Sequence, residues 1–472
     1  MTTQNTSRSP LASSRDRMDR RRFLKRAAAS GVGLAVVGVL AACGGGSATA
    51  TTQPAATAAP SGGAAPAAGG SPAASSGSAS AAGGKLEMFS WWTTGGEEAG
   101  LKALYDIYKK DRPNVQVVNQ AVAGAAGSNA KAVLKNRMLG GDPPDSFQVH
   151  MGHELTDGYV AANQVESLDD LYKSEGWDKA FPKGVLDIVS ANGHFWSVPV
   201  NIHRANVLWY NKKVFTDNNL QAPVTFDDFF KVADTLKAKG ITALALGDKE
   251  PFASGHLVET VLVGVLGPDA YKGLWTGSTK WDDAKVTEAL NTTKKMLGYI
   301  NTDHAALTWD QANDLVISGK AGMTIMGDWV DADYKQKKFA DYGWANSPGT
   351  KGIYDALSDT FALPKNAKNR DNSIAWLKLA GSQAGQDVFN PLKGSIPARI
   401  DGGKADYDTY LKSAIEDWKK DTIVPSVVHG AAAKDGWAQT YQDSINSFVT
   451  SLDVAKTQKS LAQGCTDAGV CK

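Results

Sequence analysis

Trp91 and Trp92 are the side chains with the clearest potential for chemistry, standing at the end of an apolar run and ahead of Thr93-Thr94-Gly95-Gly96-Glu97-Glu98. An indole can lay its π-face on the C–H face of a sugar ring while its N–H reaches a hydroxyl. A glycine-rich turn that opens a helix adds unpaired backbone N–H groups, and strand ends in α/β sheets face a crevice. Glu97 or Glu98 would then either face a ligand or simply complement the helix dipole. Most of the 13 tryptophans should fill cores, and Trp376, at helical spacing with Leu379 and Ala380, is expected to be one of these. His150-Met151-Gly152-His153-Glu154 suggests a metal site only superficially. Its order is neither H-E-x-x-H nor H-x-x-E-H, and Gly152 argues against a helix that would align two ligands. No G-x-S-x-G, P-loop, G-x-G-x-x-G or EF-hand pattern occurs. Neither a catalytic residue, a metal nor a cofactor is expected.

The first 84 residues indicate where such a site would work. Asp19-Arg20-Arg21-Arg22-Phe23-Leu24-Lys25 has the form of a twin-arginine export signal. An uncharged stretch follows from Ala27 to Ala42, too short to span a bilayer, and ends in Leu40-Ala41-Ala42-Cys43. That ending resembles a lipobox, in which the Cys43 thiol is acylated and the preceding residues 1–42 are removed. Residues 44–84 contain only Gly, Ser, Ala, Thr, Pro and one Gln. Nothing there is apolar enough to offset the entropy of ordering, so a disordered linker is expected. As a flexible coil it would span on the order of 35 Å. The expected location is outside the cytoplasm, in the periplasm or on the cell surface, with the membrane as a partner through the lipid.

The mature part carries 42 basic against 47 acidic residues once the eight basic and two acidic residues before Cys43 are set aside. A net charge of −5 gives no reason to expect nucleic acid. Cys465 and Cys471 remain as an even pair in an oxidising compartment, where a disulfide is the expected state and two free thiols the alternative.

The elements that must position the tryptophans follow from periodicity. Leu86 to Trp91 reads as a strand, and Leu101, Leu104, Tyr105 and Tyr108 share one face of the next helix. Val115 to Val122 is a strand, Ala130 to Leu139 a helix, and Phe147 to His150 a third strand. This alternation predicts a mostly parallel sheet covered by helices. Thr225 is a candidate N-cap with Asp228 three residues on. Ile241 to Leu246 is strand-like, and Val286, Ala289, Leu290, Thr293, Leu297 and Ile300 define a long helix. Another helix begins near Thr308 and stops at Gly319, before a strand from Ala321 to Met326. From Asn372 onward the chain reads as mainly helical. The 388 residues from Lys85 are too many for one simple core, so two lobes are expected.

Several runs then resemble one family. They include Phe89-Ser90-Trp91-Trp92, Gly141-Asp142-Pro143-Pro144-Asp145, Phe147-Gln148-Val149-His150 and Trp196-Ser197-Val198-Pro199-Val200-Asn201-Ile202-His203-Arg204. Further on come Gly327-Asp328-Trp329, Leu357-Ser358-Asp359-Thr360-Phe361, Asn390-Pro391-Leu392-Lys393-Gly394-Ser395 and Val428-His429-Gly430. The chain is thereby similar to bacterial glucose/galactose-binding proteins, family 1 extracellular solute-binding proteins of ABC sugar importers. The resemblance implies an α/β, two-lobed periplasmic-binding-protein-like fold of type II with the ligand cleft between the lobes. It implies a monomer that captures one monosaccharide, glucose before galactose, and delivers it to ABC transporter permease subunits. It also implies that Trp92 and Trp309, with Trp91 beside them, pack on the pyranose faces. Glu97 at the helix start would face the sugar, and Gln148, His150, Asp359, Lys393 and His429 would hydrogen-bond its hydroxyls.

The N-terminal lobe is expected at 85–200 plus 358–400 and the C-terminal lobe at 201–357 plus 401–472, with interlobe crossings near 198–201, 357–361 and 397–402. The alternative functions are an exported glycoside hydrolase and a tethered sugar-binding lectin. The hydrolase would need two carboxylates about 5–10 Å apart across a bond. The lectin is disfavoured by the alternating α/β pattern.

Overall fold

The computed structural model describes residues 83–124 and 127–471. The export signal, Cys43 and nearly all of the expected linker lie outside the described residues; the first strand already begins at Gly84, the last residue assigned to the linker.

The five-stranded sheet has the order 115–121, 84–90, 146–150, 359–362, 197–199. Strand Gly84–Ser90 runs parallel to both Val115–Ala121 and Ser146–His150. Asp359–Ala362 then pairs antiparallel to Ser146–His150 and to Ser197–Pro199. The sheet is therefore mixed rather than mostly parallel. Its far strands come from segments distant in sequence, which local alternation cannot reveal. Successive side chains of a strand point to opposite faces. Leu86 and Met88 accordingly enter the main core, while Phe89 packs with Leu134 and Met138 of helix Ser128–Leu139. Leu101, Leu104, Tyr105 and Tyr108 of helix Gly95–Asp111 are buried together, as their spacing predicts.

A second sheet has the order 342–346, 207–211, 321–325, 242–245. The Thr225 capping box forms with Asp228 and starts helix Phe226–Ala238. Helix Ala284–Met296 gives way to a single 3₁₀ turn, Leu297–Tyr299, around Gly298, so its face ends one turn earlier than periodicity suggests. A third sheet, 422–425, 353–357, 203–204, is new relative to the sequence reading. Its strand Thr422–Pro425 interrupts a tail that is otherwise helical. Cys465 and Cys471 form a disulfide. Among the described residues no helix is long and apolar enough to cross a membrane.

Two crossings between sheets matter for the site. Strand Ser197–Pro199 of the first sheet is followed after three residues by His203–Arg204 of the third. Strand Ile353–Leu357 of the third is separated from Asp359–Ala362 of the first by Ser358 alone. Asn201, His203 and Asp359 are thus gathered where the chain passes twice between sheets. Nearby, backbones meet with almost no side chain between them. A Cβ on Gly96 would lie 2.4 Å from both the Ala332 Cβ and the Leu392 carbonyl oxygen. Gly394, at φ +77°, presses on the same Ala332.

Candidate functional site

Asp359 begins its strand at the edge of a cavity lined also by Trp91, Trp92, Trp309, Trp329 and Lys393. The cavity has a volume of ≈ 180 Å³, room for on the order of half a dozen waters.

The Asp359 carboxyl is almost fully buried. Its Oδ1 accepts from Gln148 Nε2 at 2.9 Å and its Oδ2 from Asn201 Nδ2 at 2.9 Å. The Asn201 Oδ1 accepts the Asp359 backbone N–H at 2.8 Å, which fixes the strand start as well as the side chain. Burial works against ionisation, but His203, Lys393 and His150 outweigh it and hold this carboxyl far below the usual range. An ionised carboxylate has about four acceptor positions. One on each oxygen is taken by these amides, which leaves two that no close hydrogen bond occupies.

Two imidazoles flank Asp359, each backed by its own acid. The His150 Nδ1 lies 2.8 Å from Glu154 Oε2, and its Nε2 is 3.9 Å from Asp359 Oδ1. Burial of Glu154 opposes its charge, yet Lys131 at 2.7 Å and His150 bring it down to about 2. On the other side His203 Nδ1 pairs with Asp328 Oδ1, and its Nε2 is 3.4 Å from Asp359 Oδ2. Asp328 Oδ2 accepts from the Arg204 backbone N–H at 2.9 Å. Burial and Lys393 pull the His203 pKa down, but Asp328 and Asp359 raise it above the ordinary value.

Lys393 is buried and donates to Glu97 Oε1 at 3.0 Å. Burial disfavours its charge, but Glu97 and Asp359 raise its pKa nonetheless. Its ammonium stands 5.6 Å from the Trp92 ring and 5.9 Å from the Trp329 ring. Glu97 lines the cavity whereas Glu98 is exposed. Trp92 is fully buried against Phe361 and Phe389, and its Nε1–H has no protein partner. Trp309 is the first residue of helix Trp309–Ile317, which Thr308 starts by donating its backbone N–H to the Gln311 side chain at 3.0 Å.

The last wall is the loop 426–430, held from beneath by Glu259. That buried carboxyl accepts from Tyr271 Oη, Ser426 Oγ, Val427 N and Val428 N. Burial pushes up both Glu259 and its neighbour Asp355. Asp355 has no partner on either oxygen. Four donors favour the charge on Glu259, and none favours it on Asp355, so the proton belongs on Asp355. Because Ser426 Oγ donates to Glu259, it accepts from His429 Nδ1 at 2.8 Å. Burial, with the neighbouring His150, His256 and Lys131, keeps His429 well below its ordinary pKa. Its Nε2 is then a bare acceptor, on a residue that lines the cavity.

The structure therefore brings together Trp91, Trp92, Glu97, His150, Trp309, Asp359, Lys393 and His429 around one cavity. Gln148 sits behind that wall instead. One of its amide N–H groups donates to Asp359, and its oxygen accepts the Trp91 backbone N–H at 3.2 Å. His153 turns away to Asp157 at 3.1 Å. No metal-holding group of three or more candidate ligands occurs among the described residues. Asn201, His203, Asp328 and Trp329 were not singled out by sequence. Their only signal was membership of the matching runs around Trp196–Arg204 and Gly327–Trp329.

The family model described as "Bacterial extracellular solute-binding protein" matches residues 90–387. An uncharacterized ABC transporter extracellular-binding protein of Pyrococcus horikoshii is 37% identical over 433 residues, covering 90% of this chain and 92% of the relative. A probable sugar-binding periplasmic protein of Rhizobium meliloti is 32% identical over 361 residues, covering 74% of this chain and 85% of the relative. Among solved structures, the bacterial solute receptor AcbH, whose preference is for β-D-galactopyranose, superposes with a TM-score of 0.74 at 20% identity. That superposition covers 82% of this chain and 99% of the receptor. It bears on the fold, which is α/β and two-lobed.

Proposed function

The chain belongs to the bacterial extracellular solute-binding protein family, and on that footing we propose that it captures one pyranose monosaccharide, glucose before galactose, for an ABC importer. The family binds solutes and is not one of enzymes, so the glycoside hydrolase reading is set aside. The names of the Pyrococcus and Rhizobium relatives support the transporter and the sugar respectively. One observation carries the rest: a buried, ionised Asp359 with two acceptor positions open, in a cavity walled by indoles. A carboxylate accepting from vicinal hydroxyls forms charge-assisted bonds, each contributing roughly 1.5–3 kcal/mol. The indoles cover the sugar's C–H faces.

In this reading the lobes are 85–200 plus 358–400 and 201–357 plus 401–472. Each of the three larger sheets draws all its strands from a single lobe so defined. Calorimetry with D-glucose, D-galactose, D-mannose and maltose tests the proposal. Glucose is expected to bind at a single site, with maltose at least about tenfold weaker. Trp309→Ala should weaken glucose binding by roughly a further tenfold or more. Binding of none of the monosaccharides, or tighter binding of maltose, would overturn it.

The proposed anchorage is a lipid on Cys43 after twin-arginine export, with the protein monomeric on its tether. Cys43→Ala is expected to move the protein from the membrane pellet into the soluble fraction. An unchanged pellet would refute the anchor without touching the sugar site.

A further inference from the structure

Asp359 stands at the centre of a linear arrangement, Glu154–His150···Asp359···His203–Asp328, in which both flanking imidazoles are tied by Nδ1 to a second acid. The gaps on its inner side are too long for good hydrogen bonds, at 3.9 Å and 3.4 Å. The His203 Nε2 is the more informative of the two. The atom is buried and makes no hydrogen bond of good geometry, its nearest acceptor being Asp359 Oδ2 at 3.4 Å, while the His203 residue lines the cavity. Its ring is clamped by Asp328 on one edge and packed 5.4 Å from Trp329, so it cannot swing to find one. A fixed, unpartnered donor beside an acceptor with open positions is half of a recognition element.

We propose that His203 contacts the ligand directly, its Nε2–H donating to the sugar oxygen adjacent to the hydroxyl held by Asp359. The pair then reads two neighbouring oxygens with opposite polarity, acceptor to one and donor to the other. That reading rests on the site being a sugar site, and it names what the site demands: a vicinal pair in the orientation that lets one oxygen donate while its neighbour accepts. Asp328 is the positioning residue, since Nδ1–H bonded to Asp328 leaves the second proton of the imidazolium on Nε2. His429, whose Nδ1 is engaged by Ser426, supplies the complementary acceptor through its bare Nε2. The charged or titratable groups facing His203 are Asp328, Asp359, Lys393 and His429.

Two near-isosteric substitutions separate the roles. In His203→Asn the amide occupies the place of Nδ1, so the bond to Asp328 survives and the donor toward the sugar is lost. In His203→Gln the amide nitrogen reaches the place of Nε2 and the link to Asp328 is lost. Calorimetry with D-glucose should show His203→Asn weakened about 10- to 100-fold, the range of a charge-assisted bond, with melting close to the parent. His203→Gln should recover much of the affinity. The reverse order, with Asn binding within threefold of the parent and Gln weak, would overturn the proposal and leave His203 a purely structural partner of Asp328.

Asp328→Asn provides the second readout. It removes one of the two anions that keep His203 protonated, so affinity relative to the parent should fall as pH rises from 6 to 8. A ratio to the parent that stays constant over that range would equally overturn the proposal, even if His203→Asn failed to fold. If the parent itself binds none of the monosaccharides, the sugar reading fails and takes this inference with it. A parent that binds glucose while either readout fails sinks the inference alone.

Discussion

Asp359→Asn is expected to bind glucose at least about a hundredfold more weakly than the parent, a loss of roughly 2.7 kcal/mol or more. The substitution keeps the shape and removes the charge. An amide offers one acceptor atom instead of two, and its NH₂ must face Gln148 or Asn201, both of which already present donors to this side chain. At least one of the two acceptor positions for hydroxyls is lost, and the other weakens because it is no longer charge-assisted. A polar site built for hydroxyls discriminates strongly, since unmatched groups in it stay unpaired away from water. Folding should survive because the neighbouring cations keep a partner each, Lys393 with Glu97 and His203 with Asp328. Near-parental affinity in folded Asp359→Asn, measured by calorimetry, would remove this residue from the pocket.

The second large effect falls on stability alone. Trp376 is fully buried, with its ring centroid 5.3 Å from Tyr105, 6.2 Å from Tyr108 and 5.1 Å from Phe361. Trp376→Ala is expected to cost about 3–5 kcal/mol, from lost apolar burial plus the cavity left behind. Phe361 in turn touches Trp92 at 5.9 Å, so the tryptophan is one ring removed from the cavity. Glucose affinity well below the melting range should nevertheless stay within about threefold of the parent. Denaturant unfolding checks the first expectation and calorimetry the second. Unchanged stability would show that the ring is dispensable to the core, and a collapse in affinity would show that it supports the site.

What could be read from the chain divides along a physical line. Helix Gly95–Asp111 and the Thr225 cap were legible because 3.6-residue periodicity and a capping pair are local signals. The placement of Trp91 and Trp92 at a strand end beside a glycine turn was legible for the same reason. The third sheet was not, because Thr422–Pro425 and His203–Arg204 are short and gain their partners across long stretches of chain. Asp359 came only through family resemblance: nothing local marks one acid among 49, since its ionisation depends on Asn201, His203 and Lys393 arriving from elsewhere. Gln148 shows the limit of transferring such a role. In this structure it gives one N–H to Asp359 and accepts from the Trp91 backbone, and it is absent from the residues lining the cavity.

In the proposed lobe assignment, the bare seam at Gly96, Ala332 and Gly394 would give the protein a control separate from its grip on ligand. Helix Gly95–Asp111 and residue 394 belong to one proposed lobe and helix Trp329–Gln336 to the other, so in that assignment the seam would act as a latch between two jaws. Apparent affinity is the intrinsic grip scaled by the fraction of molecules able to adopt the shut form. A latch made of backbone and one methyl group leaves no space for even a single added carbon. Capture strength could therefore drift by small changes at this seam while every atom that touches cargo stays the same. Unloading would run in the opposite sense: a transporter that wedges the jaws apart here could lower the hold on cargo without competing for a single hydroxyl.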